Sequence, residues 1–310
     1  MATMGAPQTF AAAETAQIRL AAMINAELAL TLADNASLRQ YITYVGDTNG
    51  SGSDTVRWRR VSLGASTPLS NIGDGVALTS SDMDAFTSDV TVSRSGLCFD
   101  ITDLLSFTKL GYDLDPYFVA NTMAAAAEAR ANEIICGTFS GITANKGSLT
   151  TALSMSDWLD AMYTLEEANN GNDLVCIVKN KQFSDIQKAL RSENNNFLAF
   201  SQQSEDMSSS KPQGYAGSLL GVDIFRSEYV QEDATTAGWE GAMFSRGGIG
   251  YATGSPSIVG SVSVFRPGGS PVVVEFDREG KSGITSIIGH MYMGAAVLEQ
   301  ARACRLVSIK

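Results

Sequence analysis

Charge is scarce in this chain. Charged residues make up 18%, and the 22 Lys and Arg are outnumbered by 33 Asp and Glu. A net charge of −11 excludes a protein whose work is gripping nucleic-acid phosphates, which takes a surplus of cations. It does not exclude one that surrounds nucleic acid without binding it. Histidine occurs once, as His290 in GHMYMG, and the reading there is structural. No GxSxG, HExxH or other metal-ligand spacing is present, so neither a serine triad nor a zinc hydrolase is expected. The four cysteines, Cys98, Cys136, Cys176 and Cys304, form no CxxC pair. A zinc site and a disulfide framework are both unsupported, and four buried free thiols are expected from their apolar contexts. No run approaches the ~20 apolar residues of a membrane-spanning helix. No basic stretch followed by an apolar one opens the chain, so no signal peptide is expected.

Other chemistry is missing too. Gly247 to Gly254, GGIGYATG, has the glycine content of a phosphate loop, but Pro256 and a predicted strand follow it. No helix N-terminus would face a phosphate there. The acidic pairs Asp82/Asp84 and Glu205/Asp206 fall in predicted loops, and Asp113/Asp115 at a helix start, where solvation and capping explain them. No catalytic residue, cofactor or metal is expected, and the chain is read as no enzyme.

What is present is a core-forming sequence of 310 residues, 44% of them hydrophobic, enough for one large domain or two medium ones. Asp115 to Phe139, DPYFVANTMAAAAEARANEIICGTF, reads as one long helix. Asp115 is its N-cap, Pro116 its first residue and Gly137 its stop. Val119, Met123, Ala127, Ala131 and Ile135 form its apolar stripe, and Glu128, Asn132 and Glu133 lie largely away from it. Its alanines make a thin helix that a sheet can approach closely.

Ahead of it, Thr9 to Leu32 has a helical pattern that either packs on its own chain or lies as an arm on a neighbour. Residues 46–53 form a break, and Asp54 to Val61, DTVRWRRV, alternates as a strand. A long polar excursion, Ser62 to Ser88, leads to a second strand at Asp89 to Ser93, continuing through Leu97, Phe99 and Ile101. The pair reads as an extended hairpin. A lone two-stranded ribbon is marginal in water, so it needs a partner surface. The cluster Arg57, Arg59, Arg60 reads either as a solvated face or as a pairing surface for acidic residues of a neighbour.

After the long helix the pattern becomes α/β. A helix capped by Ser154 or Ser156 turns Trp158, Leu159, Met162 and Leu165 inward. LVCIV at 174–178 reads as a buried strand. A short helix, Lys181 to Arg191, follows, then a polar loop from Glu193 to Lys211, and LLGVDIF at 219–225 reads as one strand. Strands at 241–245, 257–265, 272–276, 284–298 and 304–309 close the chain. The last of these have no helix nearby except Asp115–Phe139, so the first and last thirds are expected to form one domain.

In this order the elements resemble the major capsid proteins of tailed bacteriophages, with the Hong Kong 97-type fold. Residues 54–104, DTVRWRRV through SRSGLCFDITDL, are similar to the family's extended loop, and Asp115–Phe139 stands where its spine helix belongs. LVCIVKNKQFSDIQKAL, GYAGSLLGVDIFRSEYV and GAMFSRGGIGYATG resemble successive steps of the axial domain. EFDREGKSGITSIIGHMYMGAAVLEQARACRLVSI resembles the closing strands of the peripheral domain.

The resemblance implies an α+β fold divided into an N-terminal arm (1–45), a hairpin loop (46–104), a peripheral domain (105–150 and 256–310) and an axial domain (151–255). It implies a coat protein that self-assembles through hexamers and pentamers into an icosahedral head around double-stranded DNA. Assembly would take place in the host cytoplasm, with a separate scaffolding protein and a portal as expected partners and a decoration protein as a further candidate. Intersubunit contacts are expected at Arg57, Trp58, Arg59, Arg60, Glu128, Asn132 and Glu133. An encapsulin-like nanocompartment shell and a soluble α/β enzyme remain the alternatives.

Overall fold

The computed structural model describes residues 38–48, 52–63, 83–102, 116–167, 173–192, 215–233, 237–254, 264–265 and 272–310. The expected N-terminal helix and the loop at 193–211 lie outside them. The described strands form two six-stranded mixed sheets and one separate ribbon. In the first sheet, β1 (Thr43–Asp47), β10 (Ile249–Thr253), β13 (Ile284–Val297), β12 (Val272–Glu279) and β11 (Val264–Phe265) lie side by side. β4 (Ser93–Thr102) also pairs with β13. The second sheet runs β5 (Asn145–Gly147), β14 (Ala303–Ile309), β9 (Gly238–Phe244), β6 (Val175–Val178), β8 (Val222–Arg226), β7 (Tyr215–Leu219).

Helix α1 (Pro116–Gly137) joins the two sheets. Met123, Ala131, Ile135 and Cys136 are buried, and Phe139 just beyond the helix is fully so. They share one core with Ile287, Met291 and Met293 of the first sheet and with Val175, Ile177, Phe225, Ala242 and Phe244 of the second. Burying each such large side chain contributes about 1.5–3 kcal/mol. The α-helix ends at the expected residue, Gly137, but without a left-handed cap there. Its φ of −62° is helical, and the chain tightens into a 3-10 turn, Thr138–Gly141. Thr138 Oγ1 donates to the Ile135 carbonyl (2.7 Å) and Ser140 Oγ to that of Gly137 (3.1 Å), satisfying the last carbonyls. The expected cap, Asp115, lies outside the described residues.

A second core fills the far side of the second sheet under α2 (Met155–Glu167) and α3 (Asn180–Ser192). Ser154 and Asp157 form a reciprocal cap at the start of α2: Asp157 N–H donates to Ser154 Oγ (3.2 Å) and Ser154 N–H to Asp157 Oδ2 (3.0 Å). Trp158, Ala161 and Leu165 face inward, whereas Leu159, expected with them, is 46% exposed. It stands ~100° round the helix from Trp158, on the outer face with Tyr163.

Three strand readings change. LLGVDIF is two strands, β7 and β8, joined by a tight turn at Leu220 and Gly221, both with positive φ (52° and 83°). That pair of left-handed residues makes a two-residue hairpin. The last strand, β14, was expected beside the strands of residues 272–298, yet it lies between β5 and β9 in the second sheet. Conversely β10, from the expected axial stretch, pairs with β1 and β13 in the first. The glycines before and within β10 serve packing: a methyl group on Gly250 would meet Leu298 Cδ1 at 2.5 Å and Val45 Cγ2 at 2.7 Å.

Candidate intersubunit surface

The ribbon consists of β2 (Thr55–Leu63) and β3 (Met83–Thr91), paired without a bulge from Thr55↔Thr91 to Leu63↔Met83. β3 therefore starts six residues before the expected strand at Asp89. Directly opposed residues share a face. One face carries Val56/Val90, Trp58/Ser88 and Arg60/Phe86, and the other Thr55/Thr91, Arg57/Asp89 and Arg59/Thr87.

The first face is seated on the chain's own body. Val90 is fully buried with Ala252 and Leu298, and Val56 and Trp58 pack against them. Ser88 Oγ donates to the Val297 carbonyl (2.9 Å), and Arg60 pairs with Glu299. Phe86 lies further along this face and is 51% exposed. The second face is open. Arg57 holds Asp89 through two hydrogen bonds (2.8 and 2.9 Å), which pull the Asp89 carboxyl below its usual range. Arg59 is exposed and has no ion-pair partner among the described residues.

The seven residues expected at contacts thus separate by surroundings. Trp58 and Arg60 engage their own body, Arg57 engages its own hairpin partner, and Arg59 alone of the cluster points outward uncommitted. On α1, Asn132 is only 6% exposed, which corrects its expected place on an outer face. It adjoins Ala131 in the sector of the helix that faces the two sheets. Glu128 is half-buried within electrostatic reach of Arg39 of the same chain. Glu133 is exposed and bonded to Arg130 (2.6 Å). Beside them a groove of about 570 Å³ runs between Ala126, Ala129 and Arg130 of the helix and the segment Tyr229–Gln231, with Tyr229 39% exposed. The outer surface of α1 is therefore the Arg130–Glu133 side.

Phe86 and Tyr229 escaped the sequence reading. Phe86 sat in a stretch taken as polar, although its two-residue alternation with Ser88 and Val90 was visible. Tyr229 had no periodic signal. His290 is buried in the first sheet. Arg94 Nη2 lies 3.2 Å from both of its ring nitrogens and Glu275 Oε2 3.3 Å from Nε2. No cluster of three or more metal-ligating His, Cys, Asp or Glu occurs among the described residues. Cys98 is exposed, against expectation, whereas Cys136, Cys176 and Cys304 are buried. It lies on β4, whose outer edge is paired with no strand among the described residues.

No family model matches the sequence, and no curated protein matches it. Solved structures do. The capsid of Ralstonia phage GP4 superposes with a TM-score of 0.60 at 9% identity, over 86% of this chain and 85% of that one. The structure from Mycobacterium phage Che8 gives 0.54 at 17% identity, over 88% and 89%. The holo-SrpI encapsulin complex from Synechococcus elongatus gives 0.54 at 11% identity, over 74% and 78%. Likeness over nearly the whole length, with the two sheets, the long helix between them and the separate hairpin, shows that this chain has the α+β fold of phage capsid proteins, the Hong Kong 97-type fold.

Proposed function

We propose that this chain is the major coat protein of a tailed-phage head, closing with copies of itself into an icosahedral shell of hexamers and pentamers around double-stranded DNA. The observation that carries this is the ribbon of β2 and β3. It is held to the body along one face, leaves Phe86 half exposed on that face, and turns a largely exposed polar face outward. Such a ribbon is marginal alone and gains stability from a neighbour's surface. Symmetry then multiplies modest contacts into a closed particle. The net charge of −11 fits a container from which a polyanion must be released, because an acidic wall does not trap it.

A separate scaffolding protein and a portal would direct closure in the host cytoplasm, and a decoration protein is a further partner of this class. A nanocompartment shell is the second reading, favoured by the encapsulin match, which covers less of this chain than the phage matches do. Electron microscopy of the purified protein, alone and with the scaffold encoded beside it, is the test. Closed particles support the shell role, and packaged DNA in particles from infected cells separates virus from nanocompartment. A protein that stays monomeric at every concentration and with scaffold sinks both.

A further inference from the structure

Strand β4 is the odd edge in the two large sheets. β1 and β7 are five residues long and each is broken by a bulge; β5 has three residues and β11 two. β12, paired on its outer side only at two positions, carries Glu275, Asp277, Arg278 and Glu279. Such devices stop sheets from adding strands at their rims. β4 is neither short nor bulged, and its only charged residues are one of each sign, Arg94 and Asp100. Its ten residues, SRSGLCFDIT, run roughly 33 Å along β13 in one unbroken register, from Ser93↔Met293 to Thr102↔Ile284. It contains no Lys and no Pro. Among the described residues no strand pairs with its other edge.

The sequence of β4 is complementary to itself. In an antiparallel pair of two copies centred on Leu97, Arg94 of each copy stands opposite Asp100 of the other. Phe99 stands opposite Ser95, and Cys98 opposite Gly96, so each larger residue meets a small one. Arg94 and Asp100 are both exposed. The hydrogen bonds that Asp100 accepts among the described residues, from Ser286 Oγ (2.6 Å) and Cys98 Sγ (3.3 Å), both fall on Oδ1 and not on Oδ2. Leu97, at the centre, is 39% exposed. A second observation concerns the face that Leu97 and Phe99 share with Met291 and Ile287. There a cavity of about 370 Å³ opens beside the edge, between Ser95 and Leu97 of β4 and Met123, Ala126 and Ala127 of α1. Apolar side chains of a second copy's β4, on the same face of a continuous sheet, would reach its mouth.

We infer that the free edge of β4 is a two-fold docking site for β4 of a second copy of this chain, in the register that sets Arg94 against Asp100. The two first sheets then form one continuous sheet with both long helices on one side. This rests on the self-assembling role proposed above and assigns one of its contacts.

The test is charge reversal. R94D and D100R each place like charges opposite one another and should lower the two-copy species about tenfold or more in sedimentation. The double variant R94D/D100R restores the pairing and the association. Thermal melts establish that each variant is folded. Cysteine placement reads the register independently. With Cys98 replaced by Ser, L97C meets its own copy on the axis and forms a disulfide-linked pair under mild oxidation, whereas S95C, opposite Phe99, does not. Association that is indifferent to both reversals, with no L97C cross-link, overturns this edge and leaves the shell role standing. A wild-type chain that never associates overturns both.

Discussion

Arg60 of the ribbon and Glu299, just past the end of β13, form an ion pair across the joint between hairpin and body. Arg302 Nε lies 2.7 Å from the same carboxylate oxygen, so one anion gathers two cations from different segments. Removing that anion should free the ribbon without unfolding the sheets. In Glu299→Gln, amide exchange across β2 and β3 should quicken about three- to tenfold, the scale of a partly buried ion pair worth ~1 kcal/mol. Exchange that does not change would mean that the apolar seat under Val90 holds the ribbon by itself.

Replacing Arg57, Arg59 and Arg60 together by alanine should leave the monomer folded, because two of the three lie on the open ribbon. Particle yield should drop severalfold, since the exposed cation Arg59 and the anchored angle of the ribbon are lost together. Full particle yield from the triple variant would remove the cluster from assembly.

Thiol chemistry should divide three to one. Burial pushes Cys136 up to about 12, Cys304 up to about 11 and Cys176 well above its ordinary value, so these carry almost no thiolate at neutral pH. Cys98 is the exposed one, also shifted upward, by desolvation and then by Asp100. A maleimide added to the native monomer should modify one cysteine per chain, and the Cys98→Ser variant none until denaturant is added. Rapid labelling of more than one would mean that the core around Cys136, or the second core with Cys176 and Cys304, opens readily.

Glu240 of β9 is buried and accepts a hydrogen bond from Arg305 Nη1 (2.7 Å). Burial raises its carboxyl above the ordinary value; Arg305 opposes that shift and Asp233 adds to it. A raised folded-state value means the folded chain holds this proton more tightly than the unfolded chain. Its contribution to stability is therefore complete below the ordinary carboxylate range and is lost as pH rises through the raised value. Melting temperature followed from about pH 4 to about pH 8 should show that loss in the wild type and a flatter profile in Glu240→Gln. Parallel profiles would refute it.

Gln182 of α3 is fully buried and ties three segments together. Its Oε1 accepts from the Lys179 amide (3.1 Å), and its Nε2 donates to the carbonyls of Leu306 (3.0 Å) and Trp239 (3.2 Å). Gln182→Leu keeps most of the volume and strands these groups, so it should cost about 2–4 kcal/mol in denaturant unfolding. A cost below ~1 kcal/mol would show that the sheet re-pairs around the gap.

Much of this architecture was legible in the chain. The long helix, α2, α3 and the buried strand β6 followed from apolar period and capping, because those signals are local. β3 was read short because Asp84, Thr87, Ser88 and Asp89 dilute its alternation on a ribbon with one open face. Leu220–Gly221 was read as mid-strand because a leucine seldom takes positive φ, which hid the turn. The exchange of β10 and β14 between sheets was not legible, because sheet membership is fixed by partners far along the chain. Asn132 was misplaced for a related reason: α1 meets two sheets, so its buried sector is wider than the single stripe that periodicity draws.

Strand β14 lies inside the second sheet, with β5, from more than 150 residues earlier, on one side and β9 on the other. During synthesis that sheet stays open along a seam until residue 309 has left the ribosome. A nascent chain therefore cannot present the finished second sheet before β14 has been made.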